Sequence, residues 1–328
     1  MAKAGHPRHG SLQFWPRKRA ARIYPRVRNH IVPEEGKLSS FAGYKAGMTH
    51  LMVVDNRPDS MTKGEVVAFP ATIIECPPLK VASVRLYSDS TNGLRVAKEI
   101  FGKVDKELGK KIVLPKKETA ASAEGYDLSQ VVDVRVNVYT QPKLAGVSKR
   151  KPEFFELAVG GKTIAERFAL AQQLLGKEVP VKDVLKEGQQ VDVFGATVGK
   201  GFQGPVKRFG VSLRQHKSEK TKRGPGSLGG WSAPRMSTVA HAGQMGVHNR
   251  LERNRWILKL SENPAELSMS GGIIHYGKLK SHFIVVKGSV QGEPKRLLRL
   301  VPSRKPSTAL PAQAPTIDYA SVVSKQGK

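Results

Sequence analysis

The chain has a single cysteine, Cys76, among its 328 residues. That excludes an internal disulfide framework and any cysteine-based zinc site. Acids are scarce: 27 Asp and Glu stand against 55 Lys and Arg, leaving a net charge of +28. This balance argues against an ordinary metabolic enzyme and makes a polyanion the expected partner. Long apolar runs are also missing. The longest, Val66 to Cys76, is interrupted by Pro70 and falls far short of the ~20 residues a membrane helix needs. The N-terminus has no apolar signal core. It is Arg-rich and acid-free like an organellar presequence, yet Pro7, Pro16 and Pro25 would break the amphipathic helix such a segment requires. The expectation is an intracellular, cytoplasmic protein that keeps its N-terminus. Aromatic residues make up only 6% of the chain, but hydrophobic residues reach 39%. That is enough to build a core, so the chain is not simply a disordered basic polymer.

What is present is charge in blocks. Residues 1–33 carry eight basic and no acidic residues, 200–255 carry twelve and two, and 278–305 carry eight and one. Elsewhere the signs nearly balance. A solvated surface would mix signs along every element. Cationic blocks rich in Gly, Pro and His, alternating with near-neutral apolar ones, point to segments that extend toward a partner.

Strand-like runs are Leu51–Asp55, Val66–Glu75, Val81–Tyr87, Val131–Tyr139, Gln190–Val198, Phe283–Val290 and Arg296–Val301. They are β-branched, and Val132, Val134, Val136 and Val138 alternate onto one face. Lys162–Leu175 reads as a helix, with Ile164, Phe168, Ala171 and Leu175 at helical spacing and Gly176 as its stop. Many short strands with few helices predict a mainly β fold, a closed or nearly closed β-barrel, carrying an α/β insertion. The expected division is a basic N-terminal extension over 1–40, a discontinuous barrel core of 41–98, 188–199 and 256–305, an α/β insertion over 99–187, a basic central loop over 200–255, and a surface-draped tail over 306–328. The segments 1–40 and 200–255 show no sustained period, and neither can offset its ordering entropy alone.

Two motifs mislead. Gly199-Lys-Gly201-Phe-Gln-Gly204 spells GxGxxG after a predicted strand, with Glu219 20 residues after the first glycine. A dinucleotide motif must open a helix at the pyrophosphate, and Pro205 with Lys207-Arg208-Phe209-Gly210 shows no helical period. A glycine hinge that lets backbone approach phosphate is the preferred reading. Gly161-Lys162-Thr163 ends like a P-loop, but Glu156 stands where its first glycine is required. The pairs His6/His9 and His241/His248 lack Cys or acidic co-ligands at a suitable spacing, so neither a metal nor a cofactor is expected. Cys76 reads as a small buried hydrophobe.

The N-terminal block repeats aromatic-Pro-Arg every nine residues: His6-Pro7-Arg8, Trp15-Pro16-Arg17 and Tyr24-Pro25-Arg26. Proline keeps the backbone extended, a ring can stack on a base, and Arg can fork onto phosphate. Candidate RNA-binding residues here are His6, Arg8, His9, Trp15, Arg17, Lys18, Arg19, Arg22, Arg26 and Arg28. The second block carries Lys200, Lys207, Arg208, Arg214, His216, Lys217, Lys220, Lys222 and Arg223. Its chain reverses at Gly224-Pro-Gly-Ser-Leu-Gly-Gly-Trp231, then returns through Arg235, His241, His248, Arg250, Arg253 and Arg255. Such cations replace counterions along a phosphate backbone. Trp231, among glycines, has little protein to bury it and suits a wedge against bases.

The run Val198-Gly-Lys-Gly-Phe-Gln-Gly-Pro-Val-Lys-Arg-Phe-Gly210, then Gly226-Ser-Leu-Gly229 and Ala242-Gly-Gln-Met-Gly246, closely resembles the L-three family of large-subunit ribosomal proteins. Gly5-His-Pro-Arg-His-Gly-Ser-Leu12 and Phe41-Ala-Gly-Tyr-Lys-Ala-Gly-Met-Thr-His50 are similar to its archaeal and eukaryotic branch. The resemblance covers nearly the whole chain. It implies a six-stranded barrel of the translation-protein type, a structural non-enzymatic role, and extensions that enter large-subunit rRNA beside neighbouring ribosomal proteins. It also implies early subunit assembly and a loop tip, at Trp231, near the peptidyl transferase centre. Gln244 matches the glutamine of the Ala-Gly-Gln-Met-Gly motif. Where eukaryotic relatives carry Thr-His-Arg-Gly, this chain has Thr221-Lys222-Arg223-Gly224. An RNA-modifying enzyme on a barrel platform is the alternative, and the scattered acids of 34–187 disfavour it.

Overall fold

Alternating β-branched residues set the principal strands, seen in a computed structural model that describes residues 9–28, 31–115, 128–218, 220–228, 238–269 and 271–323. In chain order the elements begin with β1 (Phe41–Val54), β2 (Val66–Glu75), β3 (Leu79–Ser88), β4 (Arg95–Phe101), β5 (Asp133–Tyr139) and β6 (Phe154–Ala158). They continue with α1 (Ile164–Leu174), β7 (Glu178–Val179), β8 (Gln190–Ala196), β9 (Gly201–Gln203), α2 (Pro205–Phe209) and β10 (Gly243–Met245). The last four are β11 (Asn249–Ser261), β12 (Phe283–Lys287), β13 (Leu297–Pro302) and β14 (Ile317–Ala320). The chain is mainly β. It divides into two compact units: residues 1–23 with 196–250, and residues 24–195 with 251–328.

In the larger unit one sheet runs β13-β8-β11-β12-β2-β1-β14. Because β1 also pairs β13, from Phe41↔Leu300 to Tyr44↔Leu297, the path of six strands returns to its start. The 14 residues of β1 allow this: its first residues pair β13 while Leu51–Val53 pair β14. Phe41, Leu51, Ile73, Val193, Trp256, Phe283 and Leu300 are buried there. Two polar groups are pinned among them. Glu75 accepts from the backbone N–H of Lys280 (2.6 Å), Ser281 (2.9 Å) and Gly146 (2.8 Å), and from the Tyr276 hydroxyl. Lys45 Nζ donates to the carbonyls of Val290 and Gly292 at 2.7 and 2.8 Å, and burial lowers its pKa. Cys76 is fully buried as expected, and burial pushes its thiol well up.

The second sheet, β4-β3-β5-β6 with β7 on β3, carries α1 against β5 and β3. Val134, Val136 and Val138 share the buried face as the alternation predicted, whereas Val132 precedes the strand and is half exposed. Thr163 caps α1 in a reciprocal box with Glu166, so Gly161-Lys-Thr opens an ordinary helix. Several of the sheet's charges converge on one carboxylate. Glu156 receives Arg135 Nη1 at 2.8 Å, Arg85 Nη1 at 3.3 Å and the Tyr87 hydroxyl at 2.8 Å.

Several expectations change. The Val81–Tyr87 run, assigned from sequence to the core segment 41–98, lies in β3 of the second sheet. A β-branched run reports burial, not which sheet it joins. β11 begins inside the block 200–255, and its first half is too basic to show an apolar period. The tail is more than draped: β14 pairs the edge of β1 at Leu51↔Ala320. Tyr24 is buried, its hydroxyl on the Phe154 carbonyl at 2.6 Å and its ring 5.6 Å from that of Phe155, so the protein itself takes up this aromatic. Arg299 belongs by sequence to the cationic block 278–305. It is only 2% exposed, over the Phe155 ring at 4.1 Å, and burial lowers its pKa to about 10. No described helix is long and apolar enough to cross a membrane.

Candidate nucleic-acid interface

The smaller unit starts from its glycines. β9 and β10 pair antiparallel, Gly201↔Met245, Phe202↔Gln244 and Gln203↔Gly243. Gly246 makes the turn after β10 at φ +78°, where an added Cβ would sit 2.0 Å from the Val198 carbonyl oxygen. Only glycine fits. Pro205 stands in the first turn of α2, where its missing N–H costs nothing, and Gly210 ends the helix at φ +68°. So GxGxxG does precede a helix, contrary to the sequence expectation. That helix has five residues, too few to show a period, and the strand before it pairs antiparallel rather than in a parallel sheet. Neither feature belongs to a dinucleotide site.

Arg208 on α2 ties the unit together. Its Nε donates to the Gln244 carbonyl (2.9 Å), Nη1 to the His241 carbonyl (2.9 Å) and Nη2 to the Arg17 carbonyl (3.1 Å). Arg17 Nη1 answers onto the Arg208 carbonyl at 3.2 Å. Burial lowers the Arg208 pKa. Beside this lies an aromatic seam. Phe209 is buried, Trp15 stacks on it at 5.5 Å, and the Arg17 guanidinium sits 4.2 Å from its centroid. Gly10, at φ +81°, leaves no room for a side chain beside that ring. The arm continues into the ribbon's base: Ala20 N–H donates to the Val247 carbonyl at 2.7 Å, and His248 Nδ1 lies 2.9 Å from the Lys18 carbonyl. Arg250 covers the Phe14 ring at 4.5 Å.

The predicted residues thus divide. Arg17, Arg208, Trp15, His248 and Gln244 hold the unit's own backbone and rings. Gln244 Nε2 donates to the Met245 and Gly246 carbonyls, both at 3.1 Å. Lys18, Arg19, Arg22, Lys200, Lys207, Arg214, His216, Lys217, Lys220, Lys222 and Arg223 are exposed. His9, His241 and Arg250 are half-buried. Lys200 and Lys207 line a cavity of ≈410 Å³ with Gln203 and Met245. In the other unit Arg26, Arg28 and Arg253 are exposed, and Arg255 pairs with Glu252 at 2.6 Å. His6, Arg8, Trp231 and Arg235 lie outside the described residues. Phe202, 78% exposed, was missed. An apolar residue inside a glycine motif reads as punctuation until its exposure is seen.

A ring of antiparallel strands, together with a cation-rich, glycine- and proline-rich arm and loop, defines a class: basic, mainly β proteins with long irregular extensions. A family profile described as Ribosomal protein L3 matches residues 1–327. The chain is 43% identical over 331 residues to large ribosomal subunit protein uL3 of Methanococcus vannielii, covering 99% of each. It is 44% identical over 339 residues to that of Methanothermobacter thermautotrophicus, covering 100% of each, and 43% over 330 residues to that of Methanocaldococcus jannaschii, covering 98% of each. The chain belongs to the ribosomal protein L3 family.

Proposed function

We propose that the chain is a structural constituent of the large ribosomal subunit that binds large-subunit rRNA and supports early subunit assembly. One observation carries this reading: the unit of residues 1–23 and 196–250 holds sixteen basic residues against one acid. Its exposed cations, Lys200, Lys207, Arg214, Lys217, Lys220, Lys222 and Arg223, replace counterions on phosphates. The ring of six strands closes as a barrel of the translation-protein type and anchors the protein among its neighbours. The segments 1–40 and 200–255 enter RNA as extensions, 99–187 is an insertion, and the loop tip at Trp231 reaches toward the peptidyl transferase centre. The protein works in the cytoplasm, with no bond chemistry and no cofactor of its own. Binding of the full chain to large-subunit rRNA, mapped by nucleotide-level crosslinking, tests the reading. Crosslinks should cluster at the 196–250 unit. Crosslinks confined to residues 24–195 would overturn it.

A further inference from the structure

We propose that Phe202 is a stacking platform for one unpaired base of ribosomal RNA, an inference that rests on the rRNA-binding reading above. The other aromatic rings among the described residues of the smaller unit are occupied. Phe14 lies under Arg250, Trp15 stacks on Phe209, and Phe209 carries Arg17 and Arg208 as well. Phe202 is the exception. It is 78% exposed, the most exposed aromatic among the described residues, with no described ring or guanidinium against it.

A lone exposed apolar residue is ordinary on a protein surface. What distinguishes this one is its mounting. Phe202 sits mid-strand in β9, directly across from Gln244. The Gln244 carbonyl is held by Arg208 Nε. Lys200 N–H donates to the Met245 carbonyl at 2.9 Å, and Gln203 Nε2 donates to the Lys200 carbonyl at 2.8 Å. The backbone is therefore fixed before any ligand arrives, so stacking orders little more than one side chain. Holding a phenyl ring in water forgoes one of the larger gains open to a side chain. A rigid two-stranded ribbon that does so presents a ready π-face.

The surroundings select the occupant. Lys200, two residues before, and Lys207, five after, are exposed, and the only acid within 196–250 is Glu219. A protein partner's apolar pocket would have to desolvate those ammonium groups. A nucleotide uses them: the base covers the ring and its flanking phosphates meet the lysines.

Filter binding of the full chain to in vitro transcribed large-subunit rRNA, over a salt series, tests this with three variants. Phe202→Ala should weaken binding about five- to 150-fold, the range expected for one lost base–aromatic stack. The slope of log K against log salt should stay at the wild-type value, because no cation is removed. Phe202→Trp should restore affinity, and Phe202→Leu should behave like the alanine variant. All should unfold at the wild-type temperature, since the ring packs against little. Wild-type affinity in Phe202→Ala overturns the proposal while leaving rRNA binding intact. Wild-type affinity in Phe202→Leu overturns it too, because an apolar side chain without π character is then sufficient. If the wild-type chain itself fails to bind rRNA, the reading of the whole protein falls with it.

Discussion

The two units of this chain solve the same problem of excess positive charge in opposite ways. In the unit of residues 24–195 and 251–328, 39 basic residues meet 26 acids, and all of the ion pairs found among the described residues fall there. Glu156 gathers Arg85 and Arg135, Asp55 binds Arg57, and Glu153 takes Lys111 and Lys149. The unit of residues 1–23 and 196–250 has one acid. Its inward cations are held by carbonyl oxygens and ring faces, as Arg208, Arg17 and Arg250 are, while Lys200, Lys207, Arg214, Lys217, Lys220, Lys222 and Arg223 are exposed. The lesson is that carbonyls and π-faces satisfy a guanidinium's donors without neutralising its charge. A unit can therefore be ordered and remain strongly cationic.

The largest expected effect separates the units by salt. With six to ten phosphates neutralised, rRNA affinity should fall about 10³–10⁵-fold between ~50 and ~200 mM salt. Changing Lys200, Lys207, Lys217, Lys222 and Arg223 together to Gln should flatten the log–log slope by about 0.7–0.9 for each phosphate left without its cation. Changing Lys143 and Lys182, which pair with Glu107 and Glu262 in the other unit, should leave the slope unchanged. Equal slopes for both sets would erase the distinction.

Acid should act in the opposite direction. The Arg57 hydrogen bond holds Asp55 well below the ordinary carboxylate range, and the Lys80 bond lowers Asp105. Burial works to raise Glu153 and Glu156, but bonds from Lys111 and Lys149, and from Arg135 and Tyr87, outweigh it and both are lowered. A folded pKa below the unfolded one means that the unfolded chain binds more protons in acid. These groups therefore stabilise the larger unit above about pH 4, and that stability drains away as pH falls through the folded values. Hydrogen exchange at pH 7 and pH 3 should show protection lost in the larger unit and little changed in the smaller. A uniform loss would count against the contrast.

Glu75→Gln places an amide NH₂ against groups that donate to the carboxylate. It should cost about 3 kcal/mol of unfolding free energy, read from denaturant midpoints. The salt slope for RNA should not move. Smaller still is Arg208→Lys, which keeps the charge but cannot reach three carbonyls at once. It should cost about 1–2 kcal/mol locally and speed exchange of the Ala20 amide, bonded to Val247. Unchanged exchange would mean the arm is held by something other than this guanidinium. Limited trypsin digestion sharpens the same point. The 217–223 stretch, with exposed Lys217, Lys220, Lys222 and Arg223, should be cut before Arg17, whose guanidinium is tied to Arg208 and Phe209.

Periodicity located β2 at its actual limits and α1 to within a residue or two. It missed β4, β6 and the whole of β11, and marked only the end of β1. A short edge strand or a polar one leaves no clean alternation. Within the candidate interface, residue type marked the cations well but not their direction. Trp15 and Tyr24, read as rings for RNA, pack on Phe209 and Phe155. Phe202, which lies inside the glycine motif but is assigned no role there, is exposed.

The sequence by itself determined the excess of positive charge, its concentration in blocks, the mainly β character and the family to which the motifs belong. These follow from composition and from local spacing, which need no knowledge of what touches what. Tertiary structure alone decided which cations remain available. Arg208 and Arg299 look in sequence like Lys207 and Arg304, yet one is held by backbone carbonyls and one is buried over a ring. The reason is physical: a guanidinium's fate depends on acceptors and π-faces brought to it from residues far along the chain, and only folding supplies those neighbours.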